Sequence, residues 1–254
     1  MDVAPVQPHV KDSEFLYRTR YLLNAYPAVY MTMGRWRKRH RPGYFVERDT
    51  QLVIEGFGRA GSTFAWFAFR SAQERPIRVS HHTHAAAQVI TAVRWGIPTL
   101  ILVRPAVDAA LSHMTRHGIS ARSALVAWVR FHERIVPIHR GFVAASFDEL
   151  THDFGAITRR LNARFGTAFG VFEHTEENAE RIFAEIRQRN RALWGEQMTP
   201  QRARALALPT PQRQALKDQL RAELDPPALE PLRRRADALY EQIIGLEPTR
   251  GTPR

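Results

Sequence analysis

Residues 51–64, QLVIEGFGRAGSTF, decide how the rest of the chain is read. An apolar run, QLVIE, ends in glycines, and residues 62–72 follow with helical spacing. Strand, glycine turn and helix in that order aim the free N–H groups of a first helical turn at an anion. Against the nucleotide-binding pattern GxxxxGK[ST], residues 56–63 match except that Ser62 stands where Lys belongs. In nucleotide triphosphatases that Lys reaches the β- and γ-phosphates, and an Asp after another strand helps hold Mg²⁺. Here the apolar run TLILV (99–103) leads into Arg104, a cation. With both features missing, ATP or GTP hydrolysis is disfavoured. What the loop offers is Arg59 with the hydroxyls of Ser62 and Thr63, suited to a singly esterified phosphate. A tight glycine turn that binds nothing has the same local pattern.

Outward from this loop, four short apolar runs read as buried strands: QLVIE (51–55), PIRVS (76–80), TLILV (99–103) and FVAAS (142–146). Helical spacing fills the gaps at 62–72, 85–95, 107–116 and 120–139. Continuous apolar strands separated by helices predict parallel βαβ units. The expected fold class is α/β: a three-layer α/β/α arrangement with a central parallel sheet, a phosphate-binding turn and a helical C-terminal part. Helices are expected at 147–165, 173–194, 211–224 and 228–244, with Pro209, Pro211, Pro226 and Pro227 as breaks. The expected organisation is an N-terminal arm and basic, aromatic-rich segment (1–50), then one α/β domain (51–254). Ligands of such sheets bind beyond the carboxyl ends of the strands. That directs attention to residues 56–63, 81–84 and 104 onward.

The composition fits a globular chain of 254 residues, 44% hydrophobic and 24% charged. With no cysteine there is no disulfide, thiolate metal site or thiol nucleophile. The polar opening MDVAPVQPHVKDSEF lacks the apolar core of a secretory signal, and no apolar run reaches membrane-spanning length. A cytoplasmic location is expected. The net charge of +12 favours anionic partners. Residues 15–41 join an aromatic-rich stretch to a basic cluster at Arg35, Arg37, Lys38, Arg39 and Arg41 around Trp36. This reads first as a helix docked on the domain with a solvated basic end, and second as a segment in peripheral contact with a membrane.

After TLILV comes RPAVDAALS, which sets Arg104 at a strand end and Ser112 about two helical turns later. Alone, the pair is a surface Arg and a routine helix serine. In company with the loop, the sequence resembles the sulfotransferases that use 3′-phosphoadenosine 5′-phosphosulfate (PAPS), both cytosolic and bacterial. GRAGSTF is similar to that family's 5′-phosphosulfate loop (PKSGTTW or PRSGSTL). RPAVDAALS resembles its 3′-phosphate segment (RNPKDVAVS), with Asp108 in the matching place. ASFDELTHDF is similar to its YEDL segment. The likeness spans residues 52–165 in order.

The resemblance implies PAPS as cofactor, 3′,5′-adenosine bisphosphate (PAP) as product, and no metal. Arg59, Ala60, Gly61, Ser62 and Thr63 would hold the 5′-phosphosulfate, and Arg104 and Ser112 the 3′-phosphate. Phe64 and Phe147 would lie against adenine. A second Arg-bearing element near the family's C-terminus has no clear match, with Arg187, Arg189 and Arg191 as candidates. In the family's KTH segment the His is the general base. HTH here would make His84 that base, with His82 in the Lys place and with His82 or Glu74 as the alternative base. A zinc reading of His81, His82 and His84 lacks further ligands.

The implied reaction is in-line transfer of a sulfuryl group to a hydroxyl or amine on a small-molecule, glycan or lipid acceptor. Nucleic acid is not expected as a partner. Two other readings stand beside it: a nucleotide kinase or triphosphatase on a related loop, and a basic, non-enzymatic binding module. The acceptor's identity and the oligomeric state are not encoded in any of these motifs.

Overall fold

A computed structural model describes residues 13–37, 44–194 and 210–245. Four parallel strands form its sheet: β1 (Leu52–Gly56), β2 (Val79–His81), β3 (Thr99–Val103) and β4 (Val143–Ser146), in the order β2-β1-β3-β4. Ile54 lies opposite His81 on one side and Leu100 on the other, and Leu102 opposite Ala145. β1 and β3 are buried along their whole length, which is why they carry no polar alternation.

Alternate side chains sort to the two faces, as a two-residue period requires. Leu52, Ile54, Leu100, Leu102, Val143 and Ala145 face a layer built from α3 (Ser62–Ser71), α7 (Phe147–His152), α8 (Phe154–Phe165) and α9 (Glu176–Trp194). Ile101 and Val103 face α5 (Ala106–His117), α6 (Ala121–Ile135) and α11 (Glu230–Ile244). Val53 packs with Met31, Phe45 and Ala92 from the neighbourhood of α2 (Pro27–Arg37) and α4 (Ala86–Arg94). The three-layer α/β/α architecture read from the sequence is the observed one.

Some expected elements change at their ends. The segment 147–165 is two helices, because Asp153 leaves helical geometry (φ −150°, ψ 86°) and caps α8 by accepting from the Ala156 N–H at 3.0 Å. The helix expected over 120–139 stops at Ile135 and tightens into a 3₁₀ turn (Val136–Gly141) at Pro137. PIRVS contributes only Val79 and Ser80 to the sheet's edge strand. Of the expected loose arm, residues 1–12 fall outside the described residues. The 15–41 stretch forms α1 (Glu14–Leu23) and α2. Its basic end beyond Arg37 also lies outside the described residues.

α1 docks through Tyr17 and Tyr21, both buried against α5 and α6. Among the described residues no helix is long and apolar enough to cross a membrane.

Candidate functional site

The site gathers where β1, β2 and β3 release their chains. Among the described residues three non-glycines hold a positive φ: Arg59 (73°), His82 (63°) and His84 (52°). All three follow strand tips at this one end of the sheet. Each such conformation costs about 1–2 kcal/mol for an L-residue, and strain concentrated in one place marks a site where geometry is imposed.

The turn after β1 is shaped by its glycines. Gly61, at φ 91°, caps α3, and a Cβ there would stand 2.4 Å from Leu150 Cδ2. Gly58 leaves room for His113, whose Nε2–H donates to the Gly58 carbonyl at 3.1 Å. Its Nδ1 therefore accepts from the Tyr17 hydroxyl at 2.9 Å. So α1, far away in sequence, buttresses the back of the turn. At the turn's front the Ser62 hydroxyl is buried with no hydrogen-bond partner among the described residues.

Beside the turn stands a cationic cluster centred on Ser112. Arg59 Nε donates to Ser112 Oγ at 3.0 Å, and Arg213 from α10 (Pro211–Arg221) donates to the same oxygen at 3.4 Å. Arg104 donates to the Arg59 carbonyl at 3.3 Å and lays its guanidinium 4.5 Å over the Phe147 ring. Arg104 Nε is buried without a partner among the described residues. Burial first, then the neighbouring cations Arg213, Arg116 and Arg104, hold Arg59 well below the usual guanidinium range. For the same reasons Arg213 is pushed down to about 10 and Lys217 to about 8. Two arginines thus share one hydroxyl, with Arg104, Arg116 and Lys217 near enough to act on them electrostatically, and concentrated positive charge of this kind favours an anion.

Arg213 and Lys217 are cations beside this cluster that the sequence reading did not single out. TPQRQALK has the look of an ordinary exposed helix start, and only the fold turns Arg213 inward, where it is buried. Arg187, Arg189 and Arg191 lie instead on α9, where all three are exposed. Arg187 pairs with Glu180, and Arg189 lies 5.8 Å over Trp66.

The third part is the loop after β2. Its organiser is Glu55, a fully buried carboxylate in the middle of an apolar strand. Glu55 Oε1 accepts from the Thr83 N–H (2.8 Å) and hydroxyl (2.7 Å), and Oε2 from the His84 N–H (2.9 Å). Burial raises Glu55 to about 7 against the pull of those donors. His84 Nδ1–H donates to the Gly56 carbonyl at 2.9 Å, which fixes its tautomer and leaves Nε2 with a lone pair. Burial, the largest cause, lowers His84 to about 4, so the ring is neutral at neutral pH. His82 Nε2 meets the Thr63 hydroxyl at 2.9 Å, and its Nδ1 faces His81 Nδ1. His81 stacks on Trp66 at 4.6 Å.

Phe64 is half-buried among Phe172, His174 and Phe183. Phe147 flanks Gly61 and Arg104. Glu74 is exposed in the turn between α3 and β2, at the opposite end of the sheet from His84. Among the described residues no group of three His, Asp or Glu is placed to hold a metal ion.

No family model matches the sequence, and no curated protein matches it. Among solved structures the chain is similar to mouse sulfotransferase SULT7A1 complexed with PAP, at a TM-score of 0.40 and 12% sequence identity. That likeness covers 77% of this chain and 91% of the mouse chain. It is too slight to bear on chemistry.

Proposed function

We propose that the chain is a PAPS-dependent sulfotransferase. The observation that carries the reading is the meeting of Arg59 and Arg213 on Ser112, with Arg104 on the Arg59 carbonyl, next to a glycine turn whose Ser62 hydroxyl lacks a partner among the described residues. Two neighbouring anion sites, one at a helix N-terminus and one among guanidiniums, suit a nucleotide with phosphates on both the 5′ and 3′ positions. The residues present fit that cofactor: unpaired buried donors, cations in excess, and aromatic rings at Phe64 and Phe147.

PAPS, when bound, supplies the sulfuryl group. The chain's own work is to bind, neutralise and move a proton. Ala60, Gly61, Ser62 and Thr63 offer N–H and hydroxyl donors to the 5′ end, and α3 adds its positive terminus. Arg104, Ser112 and Arg213 hold the 3′ end. Arg59 reaches Ser112 and so stands between the two ends. His84 Nε2 takes the acceptor's proton, with Glu55 and the Gly56 carbonyl fixing the ring. His82 ties this loop to Thr63 and keeps base and phosphate turn in register.

Calorimetric titration tests the reading. PAP should bind wild type without metal, and Arg104→Ala should weaken it roughly tenfold or more, as loss of a charged hydrogen bond implies. Tight ATP binding that requires Mg²⁺, with PAP inert, would favour a nucleotide kinase or triphosphatase.

A further inference from the structure

α1 carries apolar side chains on both sides, and Thr19 lies among those on the outer one. Its inner face buries Tyr17 and Tyr21, yet its outer face exposes Phe15 (73%), Leu16 (65%), Leu22 (43%) and Leu23 (36%). At 100° per residue these four fall within an outward stripe about 120° wide. Arg18 and Arg20, both exposed, border it on either edge. Tyr26 and Val29 extend the exposed surface toward α2. Among the described residues the only other large hydrophobic side chain so exposed is Val171. Solvent-facing apolar residues are therefore concentrated in one place, not scattered as on an ordinary surface.

Charge says what covers it. The cations described on α1, Arg18 and Arg20, are both exposed, and its single acid is Glu14. Glu14 is turned onto Ser120 and Ser123 at the start of α6, so its charge is already engaged. A second copy of the chain using the same face would meet like charge. An anionic lipid surface meets both demands, with acyl chains for the apolar stripe and headgroups for its cationic borders.

We infer that the outer face of α1, continued through Tyr26 and Val29, docks on an anionic bilayer, a proposal that stands apart from the sulfotransferase reading. The link to the site is short. α1 braces the phosphate turn through Tyr17 and His113, and the Asn24 carbonyl just after it accepts the Ala87 N–H at the start of α4. Arg20, at the stripe's edge, is among the charges that depress His84.

The test is co-sedimentation of the full chain with vesicles of neutral phosphatidylcholine, alone or with phosphatidylglycerol, alongside PAP titration and light scattering. The inference expects binding to the anionic vesicles only. It expects that affinity to fall on the order of tenfold in Phe15→Ser/Leu22→Ser and in Leu16→Ser/Leu23→Ser, with PAP affinity unchanged. Equal vesicle binding by wild type and both double variants overturns it. So does a wild-type dimer that either double variant dissolves, because the face would then be a self-association surface. A monomer that ignores anionic vesicles and instead retains an acidic protein overturns it as well. Vesicle binding with no affinity for PAP upholds the docking and sinks the sulfotransferase reading separately.

Discussion

At the scale of single residues, the sharpest consequences concern Glu55 and His84. His84 is depressed to about 4, so its own titration leaves the base neutral across the neutral range. Glu55 is raised to about 7 and holds the His84 and Thr83 N–H groups only through its carboxylate oxygens. Turnover should therefore rise with pH through about 7, as Glu55 ionises and grips the loop. Glu55→Gln should remove that limb from the pH–rate profile; a limb that persists in the variant would place its origin elsewhere. Replacing His84 with Ala should lower turnover by about 10²–10⁴-fold, the usual weight of a general base, while PAP affinity holds. Single-turnover assays with labelled PAPS separate the two quantities. The position of both histidines of the HTH segment just past a strand end was legible beforehand. Glu55 was not singled out, although an acid inside the apolar run LVIEG was the available signal: a buried carboxylate needs donors, and the donors turned out to be the histidine loop.

At the scale of elements, the strand–helix alternation was readable because the buried parallel strands are unbroken apolar runs, and LVIEG and TLILV could hardly be anything else. The break within 147–165 was not. Its cause is Asp153, which caps a new helix while both flanking halves keep helical spacing. Long-range pieces were the least legible. Nothing local marks α10 as a supplier of Arg213, or α1 as the brace behind Gly58, because each acquires its role from a neighbour roughly a hundred residues away. Arg213→Ala should weaken PAP roughly tenfold or more without changing ATP affinity, measurable by the same titration. The equivalent change at the exposed Arg191 should leave PAP affinity as it was. Tyr17→Phe removes the bond to His113 and should cost about 1 kcal/mol in denaturant unfolding, with a smaller effect on binding.

For the whole molecule, the proposed reading predicts that an anionic nucleotide stabilises a fold that buries Arg59 and Arg213 close together. PAP at a hundred times its dissociation constant should stabilise the fold by about 2.7 kcal/mol, a rise of about 5–10 °C in Tm for a chain of this size. Acid should act the other way. In His81, His84 and His132 burial lowers the pKa to about 4, about 4 and about 3, from an ordinary 6.5. The unfolded chain then takes up more protons, so stability should fall as pH drops from about 6.5 toward 4. Thermal melts across that range check the sign.

The claim underlying all of this is that one ligand is held at both ends. Affinities for PAP and for 5′-AMP, which lacks only the 3′-phosphate, test it most directly when measured on wild type and on Ser112→Ala/Arg213→Ala. Wild type should prefer PAP by roughly a hundredfold, the weight of two charged hydrogen bonds, and the double variant should lose most of that preference. If both proteins bind the two nucleotides equally, the cluster around Ser112 holds no 3′-phosphate and the account is wrong.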